Sequence, residues 1–277
     1  MNPRTPPRDP ALLPRLSLTV LALAVLWPML LLAEFNPAAL FDAKNLKVMR
    51  HFLATFLPPD FSPDFLQLIA TATLETLAIA TAGIALAMCL GVPLALIATR
   101  SLSLSQIAMR ADSRRWQGSD ALRWAGRGVL MLLRGIPEIV WALLLVRALG
   151  LGPAAGVLAL AITYSGMLGK VYAEILESGD ARPTLALLES GSGRLAALGY
   201  GLLPGVLREL TSYTVYRWEC AVRASIIMGF VGAGGLGQLM ELSMRMLNGG
   251  EVVTIFITFL LMVMLADGIS HVLRKMT

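Results

Sequence analysis

Nine ionisable side chains lie inside apolar stretches of this chain: Glu75, Arg134, Glu138, Arg147, Lys170, Glu174, Glu219, Arg223 and Asp267. Such a group among apolar neighbours needs a counter-charge or an aqueous path. Lys170 and Glu174 are four residues apart, as are Glu219 and Arg223, so on a helix each pair shares one face. Arg134 and Glu138 have the same spacing, with Pro137 kinking the chain between them. Two chemistries fit. As self-paired pins, these charges hold helices in register. As a polar translocation path or gate, Arg134, Glu138, Lys170, Glu174, Glu219 and Arg223 would pass a solute. In that second reading Arg134 and Arg223 meet an anion, because a guanidinium matches phosphate-like oxygens.

Other motifs point away from catalysis. Gly232-Ala-Gly-Gly-Leu-Gly237 fits G-x-G-x-x-G, but a dinucleotide site needs a strand before it and an acid about 20 residues on. Here the glycines end an apolar helix, so Gly232, Gly234, Gly235 and Gly237 are candidate hinge residues, together with Pro137. Gly199-Tyr-Gly201 lacks the preceding Thr-Val of a potassium filter. Gly166 to Lys170 has the wrong spacing for a Walker loop. His51 and His271 stand far apart, and Cys89 and Cys220 are isolated packing residues. An intramembrane enzyme would need a nucleophile or metal set. Ser165 and Glu174 are the nearest material and form none. The sequence predicts no catalytic residue, no metal site, no cofactor and no energy source of its own.

The elements that position these charges are membrane helices. Of 277 residues, 56% are hydrophobic and 15% charged, against about 25% charged in a soluble domain. The mean hydropathy is +0.70. A net charge of +5 is read as cytoplasmic loop bias rather than nucleic-acid binding. Met1 to Arg15 is a Pro/Arg-rich tail. An uncleaved first span covers Leu16 to Ala33. Glu34 to Pro63 predicts an interfacial helix ending at Pro58-Pro59. Phe65 to Ala98 is too long for one straight span, and would tilt, start at the interface or break at Gly91-Val-Pro93. Further spans are expected at Val129 to Leu149, Pro153 to Leu176, within Leu210 to Val231, and at Glu251 to Val272. Basic residues decide the orientation. With the N-terminus inside, Arg110, Arg114, Arg115, Arg123 and Arg127 are cytoplasmic. So are Arg182, Arg194, Arg208, Arg274 and Lys275. The prediction is an all-α polytopic membrane protein of six transmembrane helices with both ends cytoplasmic.

Between the fourth and fifth spans lies Ala181 to Pro204, polar and Gly-rich. Gly191, Gly193, Gly199 and Gly201 interrupt a helix there, and Pro204 is expected to end one. Leu185 to Leu188 and Leu195 to Leu198 remain as short apolar pieces whose leucines need a partner, within this chain or outside it. From Gly191 nine residues lead to Gly201, then Leu-Leu-Pro204. This resembles the EAA loop of bacterial ABC importer permeases, which forms the coupling helices that dock on the ATPase. Ala186, Gly191, Leu203 and Pro204 agree with that pattern; Leu185 stands for its Glu and Gly201 for its Ile.

Five more blocks resemble the phosphonate-type permeases: Phe56-Leu-Pro-Pro-Asp-Phe61, Arg134-Gly-Ile-Pro-Glu-Ile-Val-Trp-Ala142, Gly169-Lys-Val-Tyr-Ala-Glu174, Tyr216-Arg-Trp-Glu-Cys-Ala-Val-Arg-Ala-Ser225 and Val231-Gly-Ala-Gly-Gly-Leu-Gly237. Together they cover most of the chain from about Phe52 onward. The resemblance implies a type I, MetI-like importer fold in the bacterial inner membrane. It implies a permease core over residues 65–277, preceded by a tail (1–15), a first span (16–33) and a periplasmic or interfacial segment (34–64). It also implies a coupling loop at 181–205 that uses Leu185, Ala186, Leu187, Leu188, Glu189, Gly191 and Pro204. The implied partners are a second copy of the chain, two ABC ATPase subunits that bind ATP and Mg, a periplasmic phosphonate-binding protein and membrane lipid, with no nucleic acid. The implied cargo is phosphonate, phosphite or a related phosphorus oxyanion. Phosphate or an amino acid is the alternative cargo, and an ATP-independent channel or secondary transporter the alternative class.

Overall fold

The computed structural model describes residues 12–35, 41–99 and 118–276. Arg110, Arg114 and Arg115, and the first eleven residues of the tail, lie outside them. Among the described residues every regular element is a helix, and the chain divides into two units at Ala54 and Thr55.

The first unit holds α1 (Leu12–Leu32) and α2 (Ala43–Ala54). The 21 residues of α1 reach about 31 Å at 1.5 Å per residue, the depth of a bilayer's apolar core. Pro28 lies inside α1 without ending it. Leu18, Leu21, Leu23 and Trp27 are all exposed, an arrangement suited to lipid rather than water. α2 buries no residue. It stops at Ala54, ahead of the expected Pro58-Pro59. The chain beyond it belongs to the second unit, where Asp60 N–H donates to the Gly250 carbonyl (3.2 Å) and Thr254 Oγ1 to the Asp60 carbonyl (2.8 Å).

The second unit begins with α3 (Pro63–Ala98), α4 (Gly118–Gly135), α5 (Glu138–Leu149) and α6 (Pro153–Ser178). Two short helices follow, α7 (Arg182–Glu189) and α8 (Arg194–Ala197), and then a π turn (Leu198–Leu202). The last elements are α9 (Leu203–Gly229), α10 (Gly235–Arg245) and α11 (Gly249–Met276). α3 and α6 form the centre. Their backbones touch because glycines face each other there. A Cβ on Gly83 would stand 2.7 Å from Leu160 Cβ, and one on Gly169 3.0 Å from the Gly91 carbonyl oxygen. Helices in a membrane lack a hydrophobic drive to associate, so small residues that permit close packing take its place. Trp218 Nε1 of α9 donates to Thr81 of α3 at 3.1 Å, and Tyr172 of α6 shares a 2.5 Å hydrogen bond with Thr214 of α9.

One open alternative closes and two expectations change. α3 runs unbroken through Gly91-Val-Pro93. The stretch Val129 to Leu149 is not one rod: α4 and α5 meet at 83°, since Pro137 lacks an N–H and pushes Ile136 out of the helical region. Pro204 opens a helix instead of ending one, because it sits in the first turn of α9, where a missing N–H costs nothing. Among the described residues four helices (α1, α3, α6 and α11) are long and apolar enough to cross a membrane, and the bent α4–α5 pair makes five. The 27 residues of α9 are long enough to cross, but Arg208, Glu209, Arg217, Glu219 and Arg223 make it polar. α10 was not expected, and it fills the space between α9 and α11.

Candidate functional site

The stretch 181–205 folds as two short helices capped onto the end of α6. Arg182 donates through its backbone and side chain to Asp180 at 2.7–3.0 Å, which holds that carboxyl below its ordinary value. After α7 the chain reverses: Gly191 has φ +86°, Gly191 N–H donates to the Leu188 carbonyl and Ser192 N–H to that of Leu187. This left-handed turn favours glycine. Leu198 and Leu202 of the π turn bury against Ile175, Leu176 and Val206. Gly201 approaches α7 so closely that a Cβ would stand 2.8 Å from Thr184 Cα. That contact leaves no room for a side chain at position 201. What remains outside is an apolar face. Leu185 and Leu195 are 44% and 78% exposed, Leu187 and Leu188 are half-buried, and Ala186, Glu189, Gly191 and Pro204 are exposed.

The charges proposed for a path fall into two groups. Arg134, Lys170 and Glu174 line one cavity of about 350 Å³ with Trp124, Arg127 and Glu177, between α4 and α6. Lys170 Nζ pairs with Glu174 at 3.2 Å and Arg127 with Glu177 at 2.6 Å. Arg134 and Glu138, on either side of the 83° bend, make no ion pair among the described residues. Glu219 and Arg223 pair on α9, and Arg274 of α11 adds a third charge 3.7 Å from Glu219. Glu219 is buried, so this pair is a pin as well as a candidate path group. Breaking a buried pair costs about 3–5 kcal/mol, against about 0.5 kcal/mol for an exposed i,i+4 pair such as Lys170–Glu174. Arg147 and Asp267 are exposed.

The glycine block is a clasp between α9, α10 and α3. Gly232, Gly234 and Gly235 have φ of +94°, +90° and +70°. Gly235 N–H donates to Glu75 Oε2 at 3.0 Å and Leu236 N–H to Thr76 Oγ1 at 2.9 Å. Two side chains of α3 thus cap α10, where orphan N–H groups and the helix dipole favour a carboxylate. Gly152 N–H donates to the Gly232 carbonyl at 2.9 Å.

Residues 116–276 match the family described as the inner membrane component of binding-protein-dependent transport systems. The chain belongs to that family. Its members are permease subunits of ABC importers, which work with an ATPase and a binding protein, so this chain is a multi-pass inner-membrane transport subunit and not an enzyme. It is 36% identical over 223 residues to HtxC, a permease protein assigned to a phosphite transport system in Stutzerimonas stutzeri, covering 80% of this chain and 73% of that one. It is 34% identical to the phosphate-import permease protein PhnE of Mycolicibacterium smegmatis, covering 82% of this chain and 40% of that one. The fold of this permease matches a chain of the MetNI methionine ABC transporter in an inward-facing conformation, with a TM-score of 0.59, 19% identity, and 77% of this chain and 99% of that one covered.

Four groups escaped the sequence reading. Arg127–Glu177 and Glu75–Gly235 join residues 50 and 160 positions apart, beyond any local spacing rule. Arg217 stacks on Tyr213 and Tyr216, and here a signal existed: the three stand at i, i+3 and i+4. Thr76 reads as an ordinary apolar-face residue until α10 is in place.

Proposed function

We propose that this permease imports phosphite, phosphonate or a related phosphorus oxyanion, released to it by a periplasmic phosphonate-binding protein. Two copies of the chain form the pathway, and two ABC ATPase subunits drive it. In this reading α9 is the fifth of six spans, both ends are cytoplasmic, and α7 and α8 are the coupling helices. ATP-driven closure of the ATPase dimer pulls the paired loops, and the spans rock between inward and outward access, with Pro137 and the Gly232–Gly237 block as hinges. Arg134, Glu138, Lys170, Glu174, Glu219 and Arg223 border the route. The observation that carries the reading is the pair of short helices whose Leu185 and Leu195 stay exposed among the described residues, at the register of the EAA pattern. Docking rests on Leu185, Leu187 and Leu188, with Glu189 as a displaced acid.

The test is ATP-dependent phosphite or phosphonate uptake by the complex reconstituted in vesicles. Gly191→Asp should abolish coupled uptake and leave the protein folded, since a Cβ there meets nothing within 4 Å. The strain of a positive φ is local and costs about 1 kcal/mol. Uptake that survives the change would remove α7 from the docking surface. Phosphate is the second cargo to assay, because a relative covering 82% of this chain is named for its import.

A further inference from the structure

Arg217 is the fifteenth of the 27 residues of α9, about 21 Å from the start of that helix at 1.5 Å per residue. Its Nε donates to the Tyr213 hydroxyl at 2.7 Å. Its guanidinium carbon lies 5.1 Å from the Tyr213 ring centre and 5.6 Å from that of Tyr216. Tyr213 is itself braced edge-on by Tyr172, with ring centres 6.4 Å apart. Of the other basic groups of the candidate sites, Arg134 also makes no ion pair among the described residues, while three are spoken for. Arg223 faces Glu219, Arg127 faces Glu177 and Lys170 faces Glu174. Among the described residues Arg217 has no carboxylate within ion-pair distance, and its two Nη groups have no acceptor.

A cation in an apolar bundle without a counter-charge is costly. Two rings and a hydroxyl reduce that cost, yet they bring no negative charge. They also fix the plane of the guanidinium and occupy Nε. The two Nη ends are left as the fork that binds an oxyanion through two parallel hydrogen bonds. The same tyrosines, though not Arg217 itself, line a wide-mouthed cavity of about 580 Å³ whose charged lining is Arg208, Arg274 and Glu209, with Arg274 also 3.7 Å from Glu219 of the Glu219–Arg223 pair. The net positive lining favours an anion, and one drawn there would lie beside the two rings that orient Arg217.

We propose that Arg217, clamped by Tyr213 and Tyr216, is an anion-recognising station on the passage through this permease and takes the oxygens of the transported oxyanion in bidentate fashion. This rests on the importer reading above. The experiment uses the reconstituted complex of permease, ATPase and binding protein, with phosphite uptake and binding-protein-stimulated ATP hydrolysis measured side by side. Wild-type vesicles that move no phosphorus oxyanion overturn the importer reading itself. If the wild type transports, Arg217→Gln decides the further step. Uptake should fall by about tenfold or more, as expected for a lost charge-assisted hydrogen bond, while stimulated hydrolysis continues. Arg217→Lys keeps the charge, loses the fork and should restore only part of the uptake. Tyr213→Phe removes one hydroxyl from an otherwise intact core and should lower uptake with hydrolysis unchanged, which keeps the test open if Arg217→Gln does not fold. Unchanged uptake in the folded variants overturns the proposal. So does a parallel loss of uptake, hydrolysis and melting temperature, which would make Arg217 a structural pin.

Discussion

Gly237 accepts no side chain. A Cβ there would stand 1.9 Å from the Ile226 carbonyl oxygen, and the obstacle is helix backbone that cannot turn aside. Gly237→Ala should destabilise the protein by about 1–3 kcal/mol, the usual range for overpacking, read as a lower melting temperature in detergent. Glu75→Ala is the milder probe of the same clasp. It uncovers the Gly235 N–H and should cost about 1 kcal/mol, as cap removal does, while Glu75→Gln should keep most of the stability. At this scale the sequence was legible wherever partners are close in the chain. Glu219 and Arg223 announce themselves by their spacing of four, and so do Lys170 and Glu174. Arg134 and Glu138 share that spacing yet do not pair, because Pro137 turns the helix axis between them. The glycine block was readable as a break, but Glu75 and Thr76, the residues that hold it, come from a helix far away in the chain.

The stretch 181–205 shows what an element adds to its residues. Restoring the two family residues should have opposite outcomes. Gly201→Ile would drive a side chain into the α7 backbone at Thr184 and should detach α7, losing ATPase capture in a pull-down. Leu185→Glu sits on an exposed face and should leave the fold intact, while ATPase affinity changes with salt. The Asp180–Arg182 clasp should not respond to physiological pH. Its carboxyl is held low by Arg182, so the stabilisation is present above the unfolded value and fades as pH falls through the lower folded one. ATPase capture should therefore be flat down to about pH 5. Helix existence was legible here from Leu185 to Leu188 and Leu195 to Leu198. The direction of Pro204 was not, since a proline is compatible with either end of a break and only the packing of Leu202 and Val206 against α6 decides it.

At the scale of the whole molecule, apolar run lengths gave most helices and composition gave the membrane. They failed where one run hid two helices, at the 83° bend, and they placed the span within Leu210 to Val231 but not the polar first turns of α9 from Leu203. The six-span reading can be checked by single cysteines placed at Gly193 and Asn248 in a variant lacking Cys89 and Cys220. A membrane-impermeant thiol reagent should label Asn248→Cys from the periplasm and Gly193→Cys only after the membrane is opened. The π turn at Leu198–Leu202 bears on the spacing of the coupling loop in another way. A π turn carries one residue more than a regular α-helical turn over the same rise. Deleting one residue within it would let α8 and α9 run on as a single regular helix and would rotate everything before it by about 100°. Leu185 and Leu195 would then face a different azimuth with the contacts of α9 to α3, α6 and α11 preserved. The nine residues between Gly191 and Gly201 thus set a phase rather than a length, and a one-residue deletion there should uncouple the machine without unfolding it.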